Sequence, residues 1–241
     1  MDPDDQPEKR LPQPDSFHRN VCLFLELFLP TGNRDGAPVF RGGGDAGRGG
    51  PAAGPGGPRG LKVSFLGSRG IPARYSGFER FVQEVSVRLA QRGHEVTVYN
   101  RAPFNPCREK NFEGVRLVRL PTLPTKATDT LVHGGICTLH ALARSDGAVL
   151  YYCGVGNACW MRLARLWGRV ALLNVDGADF ARAKWSGFGR WWLRQSERWS
   201  GGASRVIADN REIQKRYLRE HGIDAEFIPY GTRLLEADPG R

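Results

Sequence analysis

Residues 62–101 decide the fold of this chain, and they read KVSFLGSRGIPARYSGFERFVQEVSVRLAQRGHEVTVYNR. An apolar run, 63–66, predicts a strand, and the loop after it holds three glycines: Gly67, Gly70 and Gly77. Apolar side chains then recur at spacings of three and four, which predicts a helix that ends at Gly93. A second alternating run, 96–99, predicts another strand. This strand–loop–helix–strand unit places the glycine loop at the carboxyl edge of a parallel sheet, where ligands bind.

Short strands continue to alternate with helices along the rest of the chain. Strands are predicted at 114–120, 148–152, 170–174, 205–208 and 226–228. Helices are predicted at 129–144, 160–166, over most of 182–199, and at 209–220, with Asp129 and Asp209 as N-cap residues. This alternation predicts an α/β fold with a Rossmann-like, doubly wound parallel sheet.

The sequence divides into three parts. Residues 1–60 are polar or rich in Gly, Pro and Ala, so we expect a disordered extension; a gene-model artefact that begins translation too early explains it equally well. The nine-residue apolar run within it, 21–29, is too short to span a membrane. Residues 61–229 form the predicted domain. Residues 230–241 follow the last predicted strand as a truncated hinge.

Composition limits the classes of partner. The formal charge is +10, but the basic residues are mostly arginine, so we do not take the charge as evidence for nucleic acid. It fits either a solvated basic surface or contact with an anionic membrane or phosphate-bearing substrate. Five cysteines without paired short spacing favour a reducing compartment. We therefore expect a cytoplasmic protein, in peripheral contact with the inner face of the membrane.

The glycine loop does not fit the common nucleotide-binding patterns. Its glycines lack the G-x-G-x-x-G spacing, and the second strand ends at Asn100-Arg101 instead of an acidic residue that would hold a ribose. NAD is therefore disfavoured, and NADP held by Arg101 remains a remote alternative. The loop also lacks the Gly-Lys-Ser/Thr ending of a P-loop.

Residues 67–101 resemble the amino-terminal domain of bacterial glycosyltransferases of family 4. The resemblance is closest to the rhamnosyltransferase-like branch, whose members open with G-T-R-G-I-P-A-x-Y-G-G-F-E-T-F. Further segments similar to family landmarks follow in the same order: 120–122, 129–131, 155–158, 174–177, 182–185, 207–210 and 228–232. The resemblance covers about residues 62–233.

The resemblance implies the GT-B architecture, in which an amino-terminal domain holds the acceptor and a carboxyl-terminal domain holds the nucleotide-sugar. It implies hexosyl or rhamnosyl transfer to a saccharide or lipid-linked acceptor in cell-surface polysaccharide synthesis. The chain stops at Arg241, so we expect an amino-terminal fragment that needs a donor domain in trans. No cofactor or metal is expected besides the nucleotide-sugar as co-substrate. The alternative is a catalytically inactive module that binds an acceptor or a membrane.

The resemblance also implies the site residues. Asp176, at the end of a predicted buried strand, is the expected catalytic residue; a turn cap is the alternative. The expected substrate-binding residues are Gly67, Arg69, Gly70, Tyr75, Gly77, Glu79, Asn157 and Lys184. Amides near Gly77, with Arg69 or Arg74, are expected to meet a diphosphate. Ser76 stands where the family usually has glycine, and Glu79 would be favoured by the helix dipole whatever its role.

Two further patterns leave alternatives open. His133, Cys137 and His140 share one helical face, which fits a metal site but more readily a packed core face, because no fourth ligand is evident. All six tryptophans lie within 160–199, interleaved with arginines. That region fits core packing and a surface on anionic lipid headgroups equally well.

Overall fold

The computed structural model describes residues 60–74, 76–123, 128–144, 147–175 and 187–229. Within these residues the strands are β1 (Lys62–Leu66), β2 (Glu95–Arg101), β3 (Asn111–Phe112), β4 (Val115–Leu120), β5 (Val149–Cys153), β6 (Val170–Val175), β7 (Arg205–Ala208) and β8 (Glu226–Phe227). The helices are α1 (Gly77–Gln91), α2 (Asp129–Ala143), α3 (Ala158–Leu166), α4 (Gly187–Trp199) and α5 (Arg211–His221). Short 3-10 turns occupy Val155–Asn157 and Ser200–Gly202.

The strands form one sheet in the order β3-β4-β2-β1-β5-β6-β7-β8. All neighbouring pairs are parallel except β3 with β4, which is antiparallel. The predicted α/β fold with a doubly wound parallel sheet is therefore confirmed. The two-residue edge strand β3 was not predicted, because so short a pairing carries no periodicity.

The strand order reverses between β1 and β5. From β1 the chain moves outward to β2 and β4, returns beside β1 as β5, and then moves outward the other way through β6 and β7. Register brings Leu66 opposite Tyr152, and Cys153 opposite Asn174. The loops after β1 and β5 thus leave the same edge of the sheet side by side, which is where open α/β sheets hold ligands.

Two apolar layers cover the sheet. On one face α1 packs through Phe81, whose ring centroid lies 6.1 Å from that of Tyr151, and Tyr151 in turn lies 5.0 Å from Phe65. On the other face α2 to α5 enclose a second buried cluster that includes Tyr152 and Met161. Full burial of each such large side chain stabilises the fold by about 1.5–3 kcal/mol.

Helix α1 follows its sequence signals closely. Its N-cap is Ser76, whose Oγ accepts a hydrogen bond from the Glu79 amide at 3.3 Å. Residues Val82, Val85 and Leu89 are buried, as their spacing predicts. The chain leaves the helix through Gly93 at φ +87°, a conformation that glycine adopts without steric cost.

Two predicted N-caps are each wrong by one residue. Thr128 occupies the N-cap of α2, and Asp129 is the first helical residue, with its carboxylate turned to Arg101. Asn210, not Asp209, caps α5, and its Oδ1 accepts from the Glu212 amide at 2.7 Å. The C-terminal stop of α5 at Gly222 is as predicted.

Across the described parts of the chain, no helix combines the length and the apolar character that crossing a membrane requires.

Candidate functional site

A cavity of about 100 Å³ lies at the carboxyl edge of the sheet, at the reversal point between β1 and β5. Its walls come from the loops after β1 and β5 and from the first turns of α2 and α4. The lining residues are Gly67, Thr130, Leu131, Cys153, Gly154, Val155, Gly156, Gly189, Trp192 and Leu193. The glycines leave backbone groups close to the cavity, while Trp192 adds an aromatic ring.

The residues around position 67 leave space only for glycine. Its φ is +92°, and a Cβ built there would lie 2.6 Å from both the Cys153 carbonyl oxygen and Asn157 Nδ2. Any larger residue would have to move the backbone of the β5 loop. The predicted site residues Gly67 and Asn157 are therefore brought into contact by the adjacency of β1 and β5.

Asn157 is fully buried behind the cavity wall. Its Nδ2 donates to the carbonyls of Cys153, at 2.8 Å, and Gly154, at 3.2 Å. Its Oδ1 lies against Gly134 of α2, where a Cβ would be 2.1 Å away. In this arrangement Asn157 shapes the wall, and a substrate contact through Nδ2 would have to replace one of these two bonds.

The loop after β1 is tied to the end of β2 by Asn100. The Asn100 amide donates to the Ile71 carbonyl at 2.7 Å and accepts from the Ile71 amide at 3.0 Å. Gly70 passes so close, at φ +106°, that a Cβ would lie 2.1 Å from Asn100 Oδ1. The position where a dinucleotide fold keeps its ribose-binding carboxylate thus serves here to hold the loop.

Arg101 forms a second tie, one that sequence reasoning missed. Its guanidinium donates to the Gly67 carbonyl at 2.6 Å and pairs with the Asp129 carboxylate, which also accepts from Thr122 Oγ1 at 2.8 Å. Burial lowers the pKa of the Arg101 guanidinium, and the charge of Asp129 opposes that shift. The available signal was a basic residue at the carboxyl end of a predicted strand.

The first turn of α1 contains a buried carboxylate that belongs to the protein itself. Glu79 is buried in the first turn, and its Oε2 accepts from the Arg74 amide at 3.1 Å. Its carboxylate interacts favourably with the helix dipole. Gly77 is exposed, and a Cβ there would meet nothing within 4 Å, so packing alone does not require glycine at that position.

The remaining predicted site residues are dispersed. The guanidinium of Arg69 lies over the ring of Phe104, 5.1 Å from its centroid. Tyr75, Asp176 and Lys184 lie outside the described residues. In sequence Asp176 directly follows Val175, the last residue of β6.

His133 and Cys137 lie buried on the inner face of α2, with Cys137 Sγ 3.4 Å from His133 Nε2. Burial, and secondarily the charge of Arg101, lowers the pKa of His133 to about 3. Burial also raises the pKa of the Cys137 thiol, so both side chains are neutral at pH 7. His140 instead contacts the Tyr99 hydroxyl through Nδ1 at 3.1 Å. The described ranges contain no group of three or more metal-ligating side chains.

The tryptophans divide between interior and surface. Trp160 donates from Nε1 to the Leu131 carbonyl at 2.7 Å, and Trp192 donates to the Gly156 carbonyl at 3.2 Å. Trp167 and Trp191 are instead 64% and 56% exposed. Trp160 is partly buried against the core, which agrees with core packing, and the contact of the exposed tryptophans with lipid headgroups stays a prediction.

Several solved structures are similar to this chain. A sucrose-phosphate synthase structure from Thermosynechococcus elongatus is 18% identical, with a TM-score of 0.50 over 71% of this chain and 89% of that one. LpCGTa in complex with UDP is 12% identical, with a TM-score of 0.45 over 74% of this chain. CalG4, the calicheamicin glycosyltransferase, is 16% identical, with a TM-score of 0.43 over 75% of this chain. This chain covers 54% of each of the last two, about half of their length.

No curated protein matches this sequence. The family model for the glycosyl transferase 4-like domain does match, over residues 76–231. That match begins at Ser76, the N-cap of α1, and includes β5 and α4 at the cavity wall, whereas β1 and the loop after it lie before the matched residues. The rhamnosyltransferase-like branch stays a prediction. With a Rossmann-like sheet of the GT-B type and a family match over more than half of its length, this chain belongs to the glycosyl transferase 4-like domain family.

Proposed function

We propose that this chain is the acceptor-side half of a glycosyltransferase. It would transfer a hexosyl or rhamnosyl group from a nucleotide-sugar to a saccharide or lipid-linked acceptor in cell-surface polysaccharide synthesis. The observation that supports this most is the cavity at the reversal point of the sheet, in a chain of this family. Such reversal points are where open α/β sheets bind ligands.

The cavity suits one sugar-sized group more than a large apolar ligand. Its volume of about 100 Å³ is small, and four of its ten lining residues are glycines, which let a ligand approach the backbone closely. The ring of Trp192 offers a flat surface on which the apolar face of a pyranose can pack. These features favour an acceptor saccharide at this position.

Asp176 is the proposed catalytic residue. It directly follows β6 in sequence, and Asn174 of β6 is in register with Cys153 at the cavity wall. A carboxylate near the reacting carbon would stabilise the positive charge that develops there during sugar transfer. That role requires position and negative charge and does not require covalent attack.

The donor is expected to bind elsewhere. Proteins of the GT-B type hold the nucleotide-sugar in a second domain, so the donor would bind to a domain other than this one. No metal or further cofactor is proposed. The described cysteines, at 107, 137, 153 and 159, are free thiols, which supports a reducing, cytoplasmic location.

A transfer assay tests the proposal directly. The full chain is incubated with a panel of nucleotide-sugars and lipid-linked or free saccharide acceptors, alone and with a candidate donor-domain chain. We expect turnover in the mixture, and Asp176→Asn to reduce it by about 100-fold or more. The matched control Asp224→Asn, at an exposed position between α5 and β8, should retain full turnover. No turnover under any condition would count against the enzyme.

The alternative is a catalytically inactive module that binds an acceptor or a membrane. The cavity supports it as well, because acceptor binding requires no donor domain. Quenching of Trp192 fluorescence by an acceptor saccharide, without turnover in any donor mixture, would favour this alternative. A Trp192→Phe variant identifies the fluorophore, because the signal change should then disappear.

A third class, a nicotinamide-dependent oxidoreductase, is disfavoured by the role of Asn100. Its amide is engaged with the Ile71 peptide at the position where a ribose-binding carboxylate would be needed. Calorimetric titration with NAD and NADP should show no binding.

A further inference from the structure

Helix α3 ends in two large apolar side chains that are mostly exposed to water. Leu166 is 82% exposed and Trp167 is 64% exposed, the two largest fractions among the large hydrophobic side chains that the structure describes. Leu163, one turn earlier, is half-buried. Leaving adjacent apolar surface of this size in water is unfavourable, so a contact that buries it is stabilised.

The same end of α3 carries positive charge. Arg162 and Arg165 are exposed, and α3 contains no acidic residue. Arg165 donates from Nη1 to the neutral Ser204 hydroxyl at 3.0 Å, and neither arginine makes an ion pair within the described ranges. These two arginines, together with Leu166 and Trp167, form a surface that we call the α3 end. A partner that complements the α3 end is apolar and carries negative charge.

The α3 end lies close to the point where the amino-terminal residues join the domain. Val63 of β1, Val149 of β5 and Val170 of β6 stand in one row across the sheet, so β1 and β6 are about 10 Å apart. Gly60 precedes this row on β1 by three residues, and Trp167 precedes it on β6 by three residues. Both therefore lie at the amino edge of the sheet, opposite to the edge that holds the cavity.

One segment outside the described residues has the chemistry that the α3 end requires. Residues 21–29, VCLFLELFL, are apolar except for Glu26. Residues 1–29 as a whole contain six acidic and three basic residues, in a chain whose formal charge is +10. The 30 residues between this run and Gly60 can span up to about 100 Å, which is ample for the run to reach the α3 end. Because the contact is intramolecular, it is favoured over a separate partner of equal affinity.

We propose that residues 21–29 dock on the α3 end. The apolar side chains of the run cover Leu166 and Trp167, and the Glu26 carboxylate pairs with the two arginines. This docking occupies the amino edge of the sheet and leaves the cavity at the carboxyl edge open. It is therefore independent of the proposed sugar transfer.

The native thiol of Cys22, inside the run, reports the docking. The full chain is labelled with N-ethylmaleimide in lipid-free buffer, and the labelling rate of Cys22 is followed by mass spectrometry of its peptide. Leu166→Ser with Trp167→Ser should raise this rate by roughly tenfold or more, because each large apolar side chain lost from a contact weakens it at least that much. The matched control Leu218→Ser removes a leucine of α5 that is 54% exposed, and it should leave the rate unchanged.

A charge exchange tests the pairing of Glu26 with the α3 end. Glu26→Arg should raise the labelling rate of Cys22 by roughly threefold, because it places a third cation beside Arg162 and Arg165. Adding Arg162→Glu and Arg165→Glu to Glu26→Arg should slow labelling again by a similar factor, because opposite charges then face each other. An exchange that restores no protection of Cys22 would overturn this pairing.

Three further results would overturn the docking. The first is a Cys22 labelling rate that Leu166→Ser with Trp167→Ser leaves unchanged, or that Leu218→Ser raises equally. The second is protection of Cys22 that increases with protein concentration, which would show that a second copy covers the surface. The third is protection that appears only when phosphatidylglycerol vesicles are added, which would place the run in lipid.

The labelling assay is separate from the transfer assay. Because no sugar transfer is measured, failure of the docking leaves the proposed function standing. Loss of turnover in a chain whose Cys22 is still protected would contradict only the proposed function.

Discussion

Three buried polar side chains hold the loops that face the cavity. Asn100 donates to Ile71, Arg101 donates to Gly67, and Asn157 donates to Cys153, each through a backbone carbonyl at 2.6–2.8 Å. A buried carbonyl without a partner would cost roughly 1–3 kcal/mol. The loop shapes are therefore set by the protein before any ligand arrives, which is the preorganisation a binding site needs.

Replacing Gly67 by alanine should lower the free energy of unfolding by about 2–4 kcal/mol, because the new Cβ meets the Cys153 backbone and φ is positive. Gly77→Ala is the matched control, since its Cβ would meet nothing within 4 Å. We expect Gly77→Ala to be neutral or to stabilise α1 by up to about 1 kcal/mol. Urea denaturation compares the two, and equal destabilisation would contradict the close approach at Gly67.

Arg101→Met should destabilise the chain by about 3–5 kcal/mol, because it leaves the carboxylate of Asp129 without its buried partner. Lys62→Met breaks the exposed pair with Glu95 and should cost less than about 1 kcal/mol. Thermal and urea unfolding of both variants provide the measurement. Adding Asp129→Leu to Arg101→Met should recover part of the loss, and a double variant no more stable than Arg101→Met alone would argue against an electrostatic cause.

At the scale of the elements, the entrance to α1 combines a cap with a buried acid. Ser76 Oγ accepts from the Glu79 amide, and Glu79 accepts from the Arg74 amide, so the loop and the first turn are closed on each other. Serine at this position adds a cap bond that the glycine usual in the resembling branch cannot make. The departure from that pattern therefore has a local structural benefit.

Ser76→Ala should cost about 1 kcal/mol of stability, whereas Ser76→Gly should cost only a few tenths, because glycine is tolerated at N-caps. Denaturant unfolding of both variants measures the difference. If a ligand must approach the backbone of this turn closely, Ser76→Gly should also tighten acceptor binding while Ser76→Ala does not. A Ser76→Ala variant as stable as the unsubstituted chain would mean that the Ser76 hydroxyl contributes nothing to the cap.

Helices α4 and α5 are joined by a bidentate pair between Glu197 and Arg216, and His221 Nε2 lies 3.5 Å from the same carboxylate. Because this pair is buried, removing only one of its two partners would leave an uncompensated charge and destabilise the fold. The pair connects α4 to α5 and so helps to position the part of the cavity wall that α4 supplies.

For the whole molecule, stability should depend on pH through His133. Its folded pKa is about 3, lowered chiefly by burial, and in the unfolded chain it returns to about 6.5. The unfolded state therefore binds the proton first as the pH falls. The stability that neutral, buried His133 contributes is fully present above pH 6.5. It is lost as the pH falls from about 6.5 to 3, at up to about 1.4 kcal/mol per pH unit.

Chemical denaturation at a series of pH values measures this slope. His133→Leu removes the titrating group, so its stability should fall less steeply between about pH 6.5 and 4, whatever its stability at pH 7. All other titratable groups are the same in the two proteins and provide a common background. An unchanged slope would show that His133 is already accessible to protons in the folded state.

Much of the fold followed from local pattern. The α1 unit, the strand rhythm and the glycine stop at Gly222 were predicted because spacing and backbone preference act within a few residues. The caps at Thr128 and Asn210 were each misplaced by one residue, because neighbouring polar side chains compete for the same role. Strand β3 escaped prediction because two residues carry no period.

By itself the sequence determined a doubly wound α/β domain, its membership of a glycosyltransferase family and the importance of Gly67 and Gly70. Only the tertiary structure decided why these glycines are needed and what holds them. Arg101 and Asp129, 28 residues apart, meet because β2 and α2 bring them together, and Asn157 reaches Gly67 because β5 lies beside β1. Such contacts depend on strand order and burial. No local pattern carries them, because the free energy that fixes them comes from elements distant in sequence.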